Sequence, residues 1–238
     1  MSAVVARQTG ISASPDAQLP LLENGARLDQ HEFHRLYELQ SGDEKIELIG
    51  GTVFMASPLR IPHSDYEEEL GFCFGLYRRA TPGVHVLHSA TTILGNLNEP
   101  QPDLIMRLLQ EYGGTSWINE EEYLVGAAEL FAEIAYSTQS IDMHLKKRNY
   151  KEAGVVEYLV VCIADQEVHW FDFRSGTRIS PTRQRTLRSR IFPGLWIDGP
   201  ALLARDSKKL IATAERGLAS REHAAFVKRL QAFKRKKH

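Results

Sequence analysis

The chain has 238 residues, of which 43% are hydrophobic and 25% charged, an ordinary globular composition able to bury a substantial core. No apolar run approaches the ~20 residues that cross a bilayer, the N-terminus lacks the apolar stretch of a secretory signal, and two cysteines outside any CxxC pair exclude a disulfide framework. A formal net charge of -1 argues against a non-specific nucleic-acid coat, yet from Arg205 onward the many Lys and Arg are opposed only by Asp206, Glu215 and Glu222, so a basic tail follows an acidic body. Such a tail either contacts phosphate or is a solvated, frayed terminus.

In chain order, residues 1–27 mix Ser, Ala, Pro and Gly without periodicity and are expected to be a disordered leader. Asp29 reads as the N-cap of a helix whose apolar stripe is Phe33, Leu36, Tyr37 and Leu39. IELIGGTVFMAS carries two β-rich runs around Gly50 and Gly51, a hairpin signal, closed by Pro58 and Pro62. Tyr66, Leu70, Phe74 and Tyr77 place an amphipathic helix over 63–80, stopped by Pro82 and Gly83. HVLHSATTIL is a strand candidate, 103–109 a short buried strand, 111–125 an acidic excursion, and AAELFAEIAYS a second buried strand. A helix over 141–153 ends at Gly154; VVEYLVVCI is a third buried strand with EVHWFDF as its hairpin partner. A polar Arg-rich meander and FPGLWID lead into helix from Ala201 onward. The expected fold is α/β: a mixed sheet flanked by helices, with one domain over 28–204 and a basic helical extension over 205–238.

The chemistry-bearing pattern is Pro102-Asp103, then Glu133, then Lys146. A lone carboxylate in an apolar strand such as AEIA is costly unless it is paired or coordinates a metal. Two carboxylates on neighbouring strands make a hard-oxygen site of the kind that Mg²⁺ takes, and a lysine one crossover later can orient water or offset charge on a phosphate. Each residue also has a plainer reading: a Pro-Asp turn, a strand-end glutamate reaching solvent, and an i,i+4 salt bridge between Asp142 and Lys146. His63, His88 and His144 are scattered, without HExxH spacing, and do not suggest zinc; no phosphate-cradling Gly-rich loop is present. Trp117, Trp170 and Trp196 read as packing residues, and the stripe Phe226, Leu230, Phe233 as a helix docked on its own domain.

The segments IELIGGTVFMASP, QPDLIM, ELFAEIAYST and IDMHLKKRNYKEAGVVEYLVV resemble the bacterial Uma-two family of restriction-endonuclease-like proteins, a branch of the PD-(D/E)XK nuclease superfamily. The run Ser137-Thr138, Asp142, Lys146, Tyr150, Gly154-Val155, Glu157-Tyr158 carries the most specific part of the match. The resemblance implies a restriction-endonuclease-like fold and a Mg²⁺- (or Mn²⁺-) dependent endonuclease acting on nucleic acid, DNA above all. Asp103 and Glu133 match the metal-binding carboxylates, Glu47 the early glutamate, and Lys146 the lysine that this family carries on the helix. The superfamily's usual lysine position is Ala135 here; Lys147 is the fallback. The chain departs from the family at Gly50, at Tyr136-Ser137-Thr138-Gln139 and at Ile163-Ala164-Asp165, none of them an implied ligand. The alternatives are a catalytically inactive DNA-binding or regulatory module that kept the fold, and an interaction protein using its C-terminal helix. A cytoplasmic location, no membrane partner and a homodimer complete the expectations.

Overall fold

The computed structural model describes residues 21–40 and 44–236. Asp29 caps α1 (Gln30–Leu39) by accepting from the Glu32 N–H, and Phe33 and Leu36 turn inward. Strands β1 (Ile46–Ile49) and β2 (Thr52–Met55) form the expected hairpin, with Gly50 and Gly51 at φ 59° and 72° in its two-residue turn. That left-handed pair matches the twist of the hairpin and disfavours residues with a Cβ. Helix α2 (Ile61–Ala80) starts with Pro62 in its first turn, where a proline is readily accommodated.

The strand expected from HVLHSATTIL is broken at Ser89, whose φ is 46°, into β3 (Val84–His88) and β4 (Thr92–Ile93). Strand β5 (Leu104–Leu108) is buried throughout. The acidic excursion holds a 3-10 turn, Gln110–Tyr112, and the short strands β6 (Trp117–Ile118) and β7 (Leu124–Val125), which join β4 in a side sheet. Strand β8 (Leu130–Ala135) is followed by a π-helical turn, Ile141–Lys146, that continues into α3 (Lys147–Glu152). Strands β9 (Glu157–Cys162), β10 (Glu167–Asp172) and β11 (Thr177–Arg178) come next. The hairpin β12 (Thr186–Arg188) and β13 (Trp196–Asp198) precedes helices α4 (Gly199–Ala204), α5 (Ser207–Leu218) and α6 (Arg221–Lys236).

The central sheet has the order β11-β10-β9-β8-β5-β3, antiparallel except for the parallel β8–β9 pair that the π-turn and α3 connect. This is the α/β, mixed-sheet architecture expected from the sequence. Alternation along the strands divides the core. Leu104, Met106, Leu130, Ala132, Ile134, Leu159 and Val161 face the layer of α2 and the C-terminal helices. Ile105, Phe131, Ala135, Tyr158 and Val160 face the layer of α3.

Two expected boundaries move. Residues 1–20 of the expected leader lie outside the described residues, but 21–27 pack on the hairpin: Leu22 is buried, the Gly25 N–H donates to the Val53 carbonyl at 2.8 Å, and Arg27 bridges Thr52. The basic C-terminal segment is part of the core rather than an appendage, since Leu210, Phe226 and Leu230 join the larger cluster. Of the three tryptophans, Trp170 is fully buried, whereas Trp117 is 45% exposed and is not a packing residue. Among the described residues no helix is long and apolar enough to cross a membrane.

Candidate active site

The register of β5 on β8 pairs Leu104 with Ala132 and Ile105 with Phe131, so the next residues out, Asp103 and Glu133, stand opposite each other on the face of α3. Asp103 is anchored across that gap, because its Oδ2 accepts the Ile134 N–H at 2.8 Å. Both carboxylates are buried, Glu133 at 2% exposure, so the solvent-reaching alternative for Glu133 does not hold.

The hairpin brings the third carboxylate. Leu48 exchanges backbone hydrogen bonds with Glu99, which docks β1 against the segment leading to β5. Glu47 then points into the same layer, where its Oε1 accepts the Gln101 N–H at 2.7 Å. Lys146 arrives from the π-turn. Its Nζ lies 2.9 Å from Glu47 Oε2, 3.0 Å from Glu133 Oε1 and 3.7 Å from Asp142 Oδ1. The Asp142 pair foreseen at i,i+4 spacing exists, but it is the longest of the three. A wide π-turn is a recurrent way to place side chains at functional sites, and here Asp142 and Lys146 are both buried on it. Lys147 takes the other face of the helix, its Nζ 4.5 Å from the Phe171 ring centre, so the fallback lysine is not in the cluster.

Glu47, Asp103, Glu133 and Lys146 are thus brought together, and the structure adds members that sequence reasoning passed over. Lys45 donates to Asp103 Oδ1 at 3.2 Å, and His63 Nε2 lies 3.0 Å from Asp103 Oδ2. The Tyr150 hydroxyl donates to Glu133 Oε1 at 2.9 Å. Two of these had a signal: Lys45 is two residues before Glu47 and shares its strand face, and Tyr150 follows Lys146 by one helical turn. His63 had none, because its partner is forty positions away.

The charges do not balance within the cluster. Glu47, Asp103, Glu133 and Asp142 face the ammonium groups of Lys45 and Lys146. Burial pushes Glu133 up to about 8, with Asp103, Asp142 and Glu47 adding to the rise and Lys146 opposing it. Burial likewise raises Asp142, against the pull of Lys146 and a Thr138 hydrogen bond. Burial works against the Lys146 charge, but Glu133, Glu47 and Asp142 outweigh it and lift its pKa well above the ordinary value. For Asp103 the burial penalty is outweighed by the His63 hydrogen bond and the Lys45 charge, which hold it well below the usual carboxylate range. The direction for the Glu133–Lys146 pair is therefore a charged lysine and a carboxyl reluctant to ionise, as three acidic groups sharing one ammonium require.

This donor set fits a hard divalent cation. Its oxygens are carboxylates, negative charge is in excess, and the buried Asp142 Oδ1 has no hydrogen-bond partner. It is not a complete cage: among the described residues no three His, Cys, Asp or Glu side chains are arranged to hold an ion between them. Two protein carboxylates, with water and substrate oxygens filling the shell, is the arrangement that suits Mg²⁺.

No curated protein matches the chain. Among solved structures, the chain is similar to the crystal structure of a "putative nuclease belonging to DUF820" from Anabaena variabilis, with a TM-score of 0.56 and 13% identity, covering 79% of this chain and 99% of that one. That likeness is one of fold. The model of the Uma2 family, described as "Putative restriction endonuclease", matches residues 30–202, a span that contains every member of the carboxylate–lysine cluster. The chain belongs to the Uma2 family.

Proposed function

We propose that the protein is a metal-dependent endonuclease that hydrolyses DNA phosphodiester bonds, with Asp103 and Glu133 as the ligands of Mg²⁺ or Mn²⁺. The observation that carries this reading is the opposed pair Asp103–Glu133 on a buried sheet face with the Lys146 ammonium 3.0 Å from Glu133. Asp103 and Glu133 would hold the cation, which when bound would lower the pKa of water and stabilise negative charge on the scissile phosphate. The protein's own groups do the positioning. Tyr150 and Lys146 fix Glu133 through one oxygen, Oε1. Lys45, His63 and the Ile134 N–H fix both oxygens of Asp103. Lys146, tethered between Glu47 and Glu133, is the cation that orients the nucleophile or offsets charge on the phosphate.

The test is divalent-metal binding by calorimetry, with plasmid nicking on the same preparations, for the wild type, Asp103→Ala and Glu133→Ala. The proposal expects binding and nicking in the wild type and loss of both in the variants. A second reading, an inactive nucleic-acid-binding module, is favoured by one feature: both Asp103 oxygens are already engaged by protein donors. It expects retained DNA binding with neither metal uptake nor nicking.

A further inference from the structure

The other face of the sheet carries a concavity that the carboxylate cluster does not use. It has a volume of about 700 Å³ and lies between the β12–β13 hairpin and α6. Arg188, Arg190 and Arg229 line it with Ser180 and Thr182, and Glu222 is the one acidic residue in its lining. Ile179 and Phe226, also in the lining, belong to the larger core cluster, opposite the Glu133 side.

Two of the arginines are held by rings rather than by carboxylates. The Arg188 guanidinium sits 3.7 Å from the Trp196 ring centre, and that of Arg229 4.9 Å from Phe226. Among the described residues neither has a carboxylate in ion-pair reach. Glu222 accepts from Trp196 Nε1 at 2.8 Å, and Asp172 is taken by Arg190 at 2.8 Å. The Arg188 Nε is buried and has no hydrogen-bond partner, a state that folded proteins rarely leave unanswered. Stacking on a ring fixes the guanidinium plane while leaving its edge donors open, and such forks match the oxygens of an oxyanion. Two open forks beside hydroxyl groups suit a multiply charged tetrahedral anion better than a single carboxylate. The volume falls in the range of small-ligand sites, ~300–1,000 Å³.

We propose that this pocket binds a phosphate group, carried either by a mononucleotide-sized ligand or by a nucleic-acid backbone, at a site separate from the carboxylate cluster. The inference does not rest on the nuclease reading. Four of its eleven lining residues, Glu222, Ala225, Phe226 and Arg229, also lie beyond residue 202, where the family match ends.

The test is calorimetric titration of the full chain with inorganic phosphate and with pyrophosphate at low ionic strength. Saturable one-site binding is expected. Arg229→Gln, an exposed position whose change leaves the core intact, should weaken it about tenfold or more, as loss of a charge-assisted fork does. Arg188→Lys keeps the charge, loses the fork, and should weaken binding comparably. Lys228→Gln removes the same charge from the neighbouring exposed position and should leave binding unchanged. A duplex oligonucleotide then separates the two sources. Displacement of pyrophosphate by the duplex, lost in Arg229→Gln, assigns the site to a backbone, and failure to displace assigns it to a small ligand. Absence of saturable binding by the wild type, or an equal loss in Lys228→Gln and Arg229→Gln, overturns the proposal.

Discussion

At the scale of single residues, the cluster is poised by one shared cation. Removing Lys146 as Lys146→Met would leave Glu47, Glu133 and Asp142 buried without the ammonium that they share. A buried ionic group stripped of its partner typically costs about 3–5 kcal/mol, so the variant should unfold at clearly lower denaturant and lose any nicking. A variant of wild-type stability would show that the lysine is not the counter-ion of the cluster. The pH response has a definite sign. Glu133 has a folded pKa raised to about 8 by burial, so the metal-free fold binds this proton more tightly than the unfolded chain does. Its contribution therefore declines as pH rises from the ordinary carboxylate range through about 8, while Lys146, raised above its usual value, contributes no pH dependence there. A divalent ion bound at Glu133 as proposed would have to displace that proton. Mg²⁺ or Mn²⁺ should accordingly raise the melting temperature more at pH 8.5 than at pH 6, and an equal increment at both would contradict Glu133 as a ligand. Asp103, Glu133 and Lys146 were legible because a carboxylate in an apolar strand, or a lysine in a helix packed on it, stands out against the burial pattern. For Lys45 the spacing from Glu47 was the only signal, because a lysine at a strand's edge is ordinarily solvated and the docking of the hairpin turns it towards Asp103.

At the scale of elements, alternation and turn chemistry located the hairpin and the three central strands, since a β-hairpin with two glycines or a run such as VVEYLVVCI has few other solutions. The π-turn at Ile141–Lys146 was not legible, because its sequence has ordinary helical spacing and carries no mark of the wider turn. A second buried carboxylate, Glu157 on β9, shows the difference between a structural and a chemical acid. It faces the opposite side of the sheet from Glu133, where it accepts from Trp170 Nε1, Ser189 Oγ and the Arg190 and Ile191 N–H groups. Four donors and no cation make it a clamp that ties β9 to the turn before β13. Glu157→Leu should strand those donors and lower stability by about 2–4 kcal/mol, measured by urea unfolding, without moving the metal affinity per folded molecule. A change in affinity would mean that the two faces of the sheet communicate.

At the scale of the whole molecule, the sequence left the basic C-terminal segment open between phosphate contact and a solvated, frayed terminus, and read the stripe Phe226, Leu230, Phe233 as a helix docked on its own domain. The segment's charge pattern is visible from composition, but its packing partners are far upstream in α2 and in the 3-10 turn at Gln110–Tyr112, so nothing local could reveal them. The structure separates the two roles along one helix. Phe226 and Leu230 of α6 are buried in the larger core, and the buried His223 ring meets Thr81 Oγ1 through Nε2 at 2.8 Å, whereas Arg235 and Lys236 are exposed. Ending the chain at Ser220 therefore removes two core side chains, each of a kind whose deletion costs about 2–5 kcal/mol, and should leave a protein that melts far below the full chain or does not fold. Replacing Arg235 and Lys236 by Gln should shift stability by no more than about 0.5 kcal/mol, as surface changes usually do. If those two residues touch a DNA backbone, the same double variant should flatten the slope of log affinity against log salt by about 0.9 per lost phosphate contact. A truncated chain as stable as the parent would return the segment to the status of an appendage. An unchanged salt slope in the double variant would leave the exposed end of α6 as solvated surface and shift any phosphate contact to the arginines of the β12–α6 pocket.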